Sequence, residues 1–206
     1  MNLFMMCEQA RSAAFTPLPP GIFARPLRKE ELDTWLAFPY DTAEEARQNR
    51  AFMLDYFQKV YQPREAAFFK ACTVLCGADE VPLATAFLWR SYGGRLHSLH
   101  WLKTLKEHEG RGLGRALLSL LLGGLGDDDY PVYLHTHPEC VAAISLYADF
   151  GFELIEGSPV GRRSNDLAEG LAYLKREMRA DAFKKLVVRE APRDFYEVTG
   201  QERSEF

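Results

Sequence analysis

The segment EGRGLGRALL, Glu109 to Leu118, places Gly110, Gly112 and Gly114 within five residues, between an alternating stretch and a helix-periodic one. Upstream, Arg95 to Thr104 alternates as a strand does, with Leu96, Ser98, His100, Leu102 and Thr104 on one face and His97, Leu99, Trp101 and Lys103 on the other. Downstream, Leu113, Ala116, Leu117, Leu120 and Leu121 follow the i, i+3, i+4, i+7, i+8 spacing of a helix, which Gly123, Gly124 and Gly126 end. Leu118, Leu122 and Leu125 make its far side apolar too, so this helix is widely buried. Any fold for the chain must carry a strand through a glycine loop into a buried helix. That requirement selects an α/β architecture.

The other elements follow from period and punctuation. Ile22 to Arg25 reads as a short strand, and Leu32, Trp35 and Leu36 as a helix that Pro39 stops. Thr42 with Glu45 forms a capping box ahead of a stripe through Ala46, Arg50, Met53, Phe57 and Val60, a longer helix ending before Pro63. Phe68 to Cys76 and Pro82 to Trp89 read as an antiparallel hairpin turned at Gly77 to Glu80, with a further turn at Tyr92 to Gly94. Val132 to His135 is a strand. Pro138 can open a helix that Val141 to Phe150 continue and Gly151 closes, and Phe152 to Ile155 return as a strand. Gly157 to Asp166 reads as loop, Leu171 to Glu177 as a strand, Asp181 to Val187 as a last helix, and the tail beyond Val188 has no assignment.

The expected organisation is an N-terminal arm over 1–20, irregular and Pro-rich at its end; a domain over 21–178; and a C-terminal helical extension and tail over 179–206. A chain of 206 residues suits one such domain.

Charge and cysteine content narrow the function classes. Twenty-five basic residues against 29 acidic ones leave no global basic field for phosphate backbones, so no nucleic-acid partner is expected. The longest apolar-rich stretch, Leu113 to Leu125, falls short of the roughly 20 residues that cross a bilayer. The N-terminal residues lack the basic start and apolar run of a secretory signal, and a cytoplasmic location is expected. Cys7, Cys72, Cys76 and Cys140 accordingly read as reduced thiols. Cys72 and Cys76 lack two further ligands at zinc spacing, so no metal is expected.

Free amides at the start of a helix, approached through glycines, suit an anion, and the helix dipole favours it. A tight turn is the plain alternative. The segment lacks the GxxxxGK of a phosphate loop, and Leu117 stands where a dinucleotide fingerprint needs its third glycine.

Taken with CVAAISLYADFGF, Cys140 to Phe152, the loop gains specificity. The order strand, two helices, three antiparallel strands, glycine-loop helix, strand, and helix ending in Tyr-x-x-x-Gly-Phe resembles the GNAT superfamily of acyl-CoA-dependent N-acyltransferases, over about residues 21–178. The resemblance implies a mixed, mostly antiparallel sheet of about six to seven strands flanked by about four helices. It further implies an N-acetyltransferase moving an acetyl group from acetyl-CoA to an amine by direct attack in a ternary complex. A non-catalytic acyl-CoA-binding or regulatory module on the same fold is the alternative.

By the same resemblance Gly110, Arg111, Gly112, Leu113, Gly114 and Arg115 form the pyrophosphate loop, and the backbone of Leu102, Lys103 and Thr104 pairs with the pantetheine arm. Tyr147 matches the acid that protonates the departing thiolate, with a hydrogen-bonded core phenol as its plain alternative. His100 matches a position where some members, arylalkylamine acetyltransferases among them, carry a histidine implicated in removing the amine's proton, with Ser98 as a relay through water. Ala143 and Phe152 match packing positions. Two residues depart from the family pattern. Glu109 stands where Gln or Arg is usual and Cys140 where Asn is frequent, which implies reduced affinity or another acyl-CoA. The acceptor is expected to be chosen by Phe38 to Thr42, by the loop between the last two strands and by the C-terminal extension. An exposed edge strand there invites a homodimer.

Overall fold

The computed structural model describes residues 1–157 and 159–200. Its elements are β1 (Leu3–Cys7), β2 (Phe23–Pro26), α1 (Leu32–Ala37), α2 (Ala43–Val60), α3 (Glu65–Ala71), β3 (Thr73–Cys76), β4 (Pro82–Ser91) and β5 (Leu96–Thr104), followed by α4 (Leu113–Gly123), β6 (Val132–Thr136), α5 (Val141–Asp149), β7 (Glu153–Glu156), α6 (Leu167–Glu177), α7 (Ala180–Phe183), β8 (Val188–Glu190) and α8 (Arg193–Thr199). The strands form one mixed sheet in the order β2-β3-β4-β5-β6-β1-β7-β8. Pairing is antiparallel for β2/β3, β3/β4, β6/β1 and β1/β7, and parallel for β5/β6 and β7/β8. The class is the expected mostly antiparallel α/β one, with eight strands and eight α-helices among the described residues in place of six to seven and four.

The chain divides into two compact units, the first comprising Met1–Phe15, Arg90–Ser98 and the chain from Leu122 onward, the second Thr16–Trp89 and Leu99–Leu121. In the second unit the capping box of α2 is made as the sequence predicts. Thr42 Oγ1 accepts the Glu45 amide at 3.2 Å, and Glu45 Oε2 accepts the Thr42 amide at 3.1 Å. These bonds satisfy helix-start donors that the helix itself cannot. Met53 and Phe57 are buried one turn apart, and Tyr61, the next step of that stripe, is buried just beyond the helix end. They join an aromatic core in which Trp35 meets Phe68 edge-on at 5.0 Å and Tyr61 stacks on Phe68 at 5.0 Å. In the first unit Phe4, Met6, Tyr133, Ile155 and Phe195 share a second core, with the Tyr133 and Phe195 rings stacked at 4.5 Å.

Several sequence expectations are overturned. Residues 1–20 are not irregular throughout: Leu3–Cys7 is a fully buried strand between β6 and β7. A strand covered on both faces carries apolar residues at every position, so LFMMC shows no alternation to read. The expected strand from Phe68 begins only at Thr73. Glu65–Ala71 is helix, its Ala and Lys residues favouring that state and Phe68 and Phe69 anchoring it. Leu171 to Glu177 lie in α6, where Gly170 and Leu174 are buried at i, i+4 and a Cβ on Gly170 would sit 2.7 Å from Leu3 Cδ2. Glycine lets α6 approach β1 that closely. The last helix shortens to Ala180–Phe183, and the extension carries β8 and α8 besides, with Phe195 fully buried. Residues 201–206 of that extension and Ser158 of the expected loop lie outside the described residues. No helix of the described residues is long and apolar enough to cross a membrane.

Candidate active site

The glycine loop lies in the second unit. Gly110 and Gly112 have φ of 74° and 78°, a region that costs L side chains, and α4 begins at Leu113. A Cβ added at either glycine would meet nothing within 4 Å. Residues 109–112 are exposed, Leu113 is buried, and Gly114 and Arg115 are half-buried. The loop therefore offers open backbone at the head of an 11-residue helix, beside the charges of Arg111 and Arg115.

Glu109 borders this loop and is accompanied by a cation. Lys103 Nζ lies 4.0 Å from Glu109 Oε1 and donates to Asp41 Oδ1 at 2.6 Å, while Lys106 Nζ lies 3.7 Å from Asp41 Oδ2. The Lys103 hydrogen bond, with both ammonium charges behind it, holds the Asp41 carboxyl below its usual range. Leu102 and Thr104, like Lys103, are half-buried at the end of β5.

His100 sits deeper. Its Nδ1 lies 2.6 Å from the Tyr61 hydroxyl, and the same hydroxyl accepts the Trp101 indole N–H at 2.9 Å. Neighbours on a regular strand point to opposite faces, yet His100 and Trp101 reach one partner. Trp101 has a φ of 53°, which breaks the alternation at that residue, so the reading that put Trp101 on the face opposite His100 fails from there on. Burial pushes the His100 imidazole down to about 3 and the Tyr61 phenol well up. The imidazole is therefore neutral throughout the physiological range. An arrangement with the His100 proton on Nε2 and Tyr61 donating to Nδ1 suits all three groups.

The remaining expected residues belong to the first unit. Cys140 caps the start of α5 with an exposed thiol and makes no side-chain cap bond. Tyr147, seven residues on, is buried, and its ring lies 5.7 Å from that of Phe152. Burial pushes the Tyr147 phenol above its usual value, so it keeps its proton. Gly151 closes α5 with a φ of 97°. Ser98 shares a 2.6 Å hydrogen bond with Ser91. His97 contacts the Asp129 carbonyl at 3.0 Å, His135 the Asn2 side chain at 3.0 Å, and His137 the Met1 carbonyl at 2.8 Å. Among the described residues no group of three or more His, Cys, Asp or Glu is placed to hold a metal ion.

Sequence reasoning missed Tyr61 and Asp41. Tyr61 continues the Met53, Phe57 spacing by one more turn, and that signal could have found it. Asp41 was inside the loop expected to choose the acceptor, with nothing local to mark its lysine partners.

Among curated proteins none matches the chain. Solved structures do. A GNAT-family protein of Novosphingobium aromaticivorans is 21% identical over 74% of this chain and 59% of its own, at a TM-score of 0.44. PH1933 from Pyrococcus horikoshii is 23% identical over 67% of this chain and 92% of its own, at 0.51. An acetyltransferase of the GNAT family from Colwellia psychrerythraea is 15% identical over 75% of this chain and 53% of its own, at 0.52. The chain thus spans just over half the length of the first and third, and the last two share its fold. The sequence model of the Acetyltransferase (GNAT) family matches residues 29–152, and the chain belongs to that family.

Proposed function

We propose that the protein transfers an acetyl group from acetyl-CoA to an amine, by direct attack of the amine on the thioester. The observation that supports this most is the pair of positive-φ glycines opening α4, with free space above them and Arg111 and Arg115 alongside. The loop Gly110 to Arg115 takes the donor's diphosphate on backbone amides, with Leu113 anchoring the helix start in the core. The backbone of Leu102, Lys103 and Thr104 takes the pantetheine amides as an added strand would.

The amine must arrive unprotonated or lose its proton before attack. His100 is not assigned that proton, because its imidazole titrates far below neutrality and its Nδ1 faces Tyr61. The free-base fraction of the amine itself, with water as proton acceptor, carries the step in this reading. Collapse of the tetrahedral intermediate expels the CoA thiolate, and Tyr147 supplies its proton. Cys140 lies on the same helix but has no role as a nucleophile here.

The test is a panel of primary amines, aromatic, aliphatic and peptide N-terminal, assayed for release of free CoA thiol with full-length protein. Amine-dependent thiol release is expected. Binding of acetyl-CoA without turnover of any amine points to the non-catalytic module instead.

A further inference from the structure

Asp41 and Glu109 are carboxylates on different segments that converge on one ammonium. Asp41 lies on the loop between α1 and α2, Glu109 on the residue that opens the glycine loop, and Lys103 on the end of β5 stands between them, at 2.6 Å and 4.0 Å. Lys106 adds a second cation at 3.7 Å from Asp41. Two positive and two negative charges make this patch neutral overall. The Lys103 side chain is only 25% exposed, so solvent screens its ion pair with Asp41 less than a fully exposed one. The arrangement explains how Glu109 can border an anion-binding loop: Lys103 faces it.

We propose that Asp41 is a positioning residue for the donor, setting the affinity of the glycine loop for the CoA phosphates through Lys103 and Lys106. The inference rests on the reading of Gly110 to Arg115 as the donor loop. With Asp41 ionised, both lysines are turned to its carboxylate and contribute little attraction to a ligand anion. Take that charge away, and Lys103 answers to Glu109 alone while Lys106 is released toward the loop. The patch gains one positive charge and attracts phosphate more strongly. Because Asp41 sits on the loop expected to choose the acceptor, an acceptor that moves this loop changes donor affinity by the same route, and linkage makes the effect reciprocal.

The experiment is calorimetric titration of coenzyme A into the full-length protein at low and at moderate salt. Asp41→Asn is expected to tighten binding about two- to fivefold at low salt, the range of a partly screened ion pair, and to lose the gain as salt rises. Lys103→Gln is expected to weaken binding, because it leaves Asp41 and Glu109 facing the loop with Lys106 alone, and the Asp41→Asn gain should shrink in that background. Wild-type binding with Asp41→Asn unchanged or weaker overturns the inference alone. A gain undiminished by salt, or undiminished in the Lys103→Gln background, also overturns it. A wild-type protein that binds no coenzyme A takes down the donor-loop reading with it.

Discussion

The Tyr61 hydroxyl lies 2.6 Å from His100 Nδ1, across 39 residues of sequence. Burial keeps the His100 imidazole neutral there, with the Tyr61 hydroxyl as the partner of its Nδ1. The consequences are measurable in stability.

The unfolded His100 imidazole has a pKa of about 6.5, whereas in the fold it lies at about 3. Between those values the unfolded chain binds the extra proton and the native one does not. The contribution is thus complete above pH 6.5 and is lost as pH falls from there toward 3, by at most about 1.4 kcal/mol per pH unit. Urea unfolding at pH 7.5 and pH 5 should show the wild type losing more stability on acidification than His100→Gln. Equal losses contradict the assigned burial.

Tyr61→Phe keeps the ring that stacks on Phe68 and removes the oxygen shared by His100 and Trp101. Leaving buried polar groups without this partner costs about 1–3 kcal/mol. Denaturant midpoints at neutral pH measure it, and a change within error means that the hydroxyl bridges nothing of consequence.

Gly151→Ala probes the closing of α5. A φ of 97° is costly for alanine, and its Cβ would meet Arg11 Cγ at 3.2 Å and the Gln9 carbonyl at 3.3 Å. The expected destabilisation is about 1–2 kcal/mol, read from thermal unfolding. An unchanged melting temperature would show that the backbone relaxes freely there.

Tyr147→Phe tests the acid. The ring remains and only the phenolic proton goes, so turnover of an accepted amine should fall roughly 10²–10⁴-fold with acetyl-CoA affinity retained. Undiminished turnover leaves Tyr147 as a core phenol.

Local signals and the fold agree at some of these positions and diverge at others. The capping box at Thr42 and Glu45, the glycine loop and the Gly151 closure depend on neighbours a few residues away, and all were legible in the sequence. The alternation of β5 was legible up to His100 and misleading after it, because period two assumes a regular pleat and Trp101 breaks the pleat. Burial of His100 depends on Tyr61 and the aromatic core around it, brought there by packing that no spacing rule encodes. β1 and α8 escaped for a related reason. LFMMC is uniformly apolar and so shows no period, while α8 is only seven residues long and buries Phe195, Val198 and Thr199, too few turns for a helical period to stand out among its charged residues.

The most direct test of the account is calorimetric titration of acetyl-CoA into the wild type and into Gly112→Asp. Gly112 has open space around it, so aspartate adds a negative charge and an unfavourable φ at the mouth of the loop without a clash with the fold. The account predicts saturable binding by the wild type and none by Gly112→Asp, with circular dichroism showing both folded. A folded Gly112→Asp protein that binds acetyl-CoA with wild-type affinity would contradict it, since the phosphates would then rest somewhere other than on this loop.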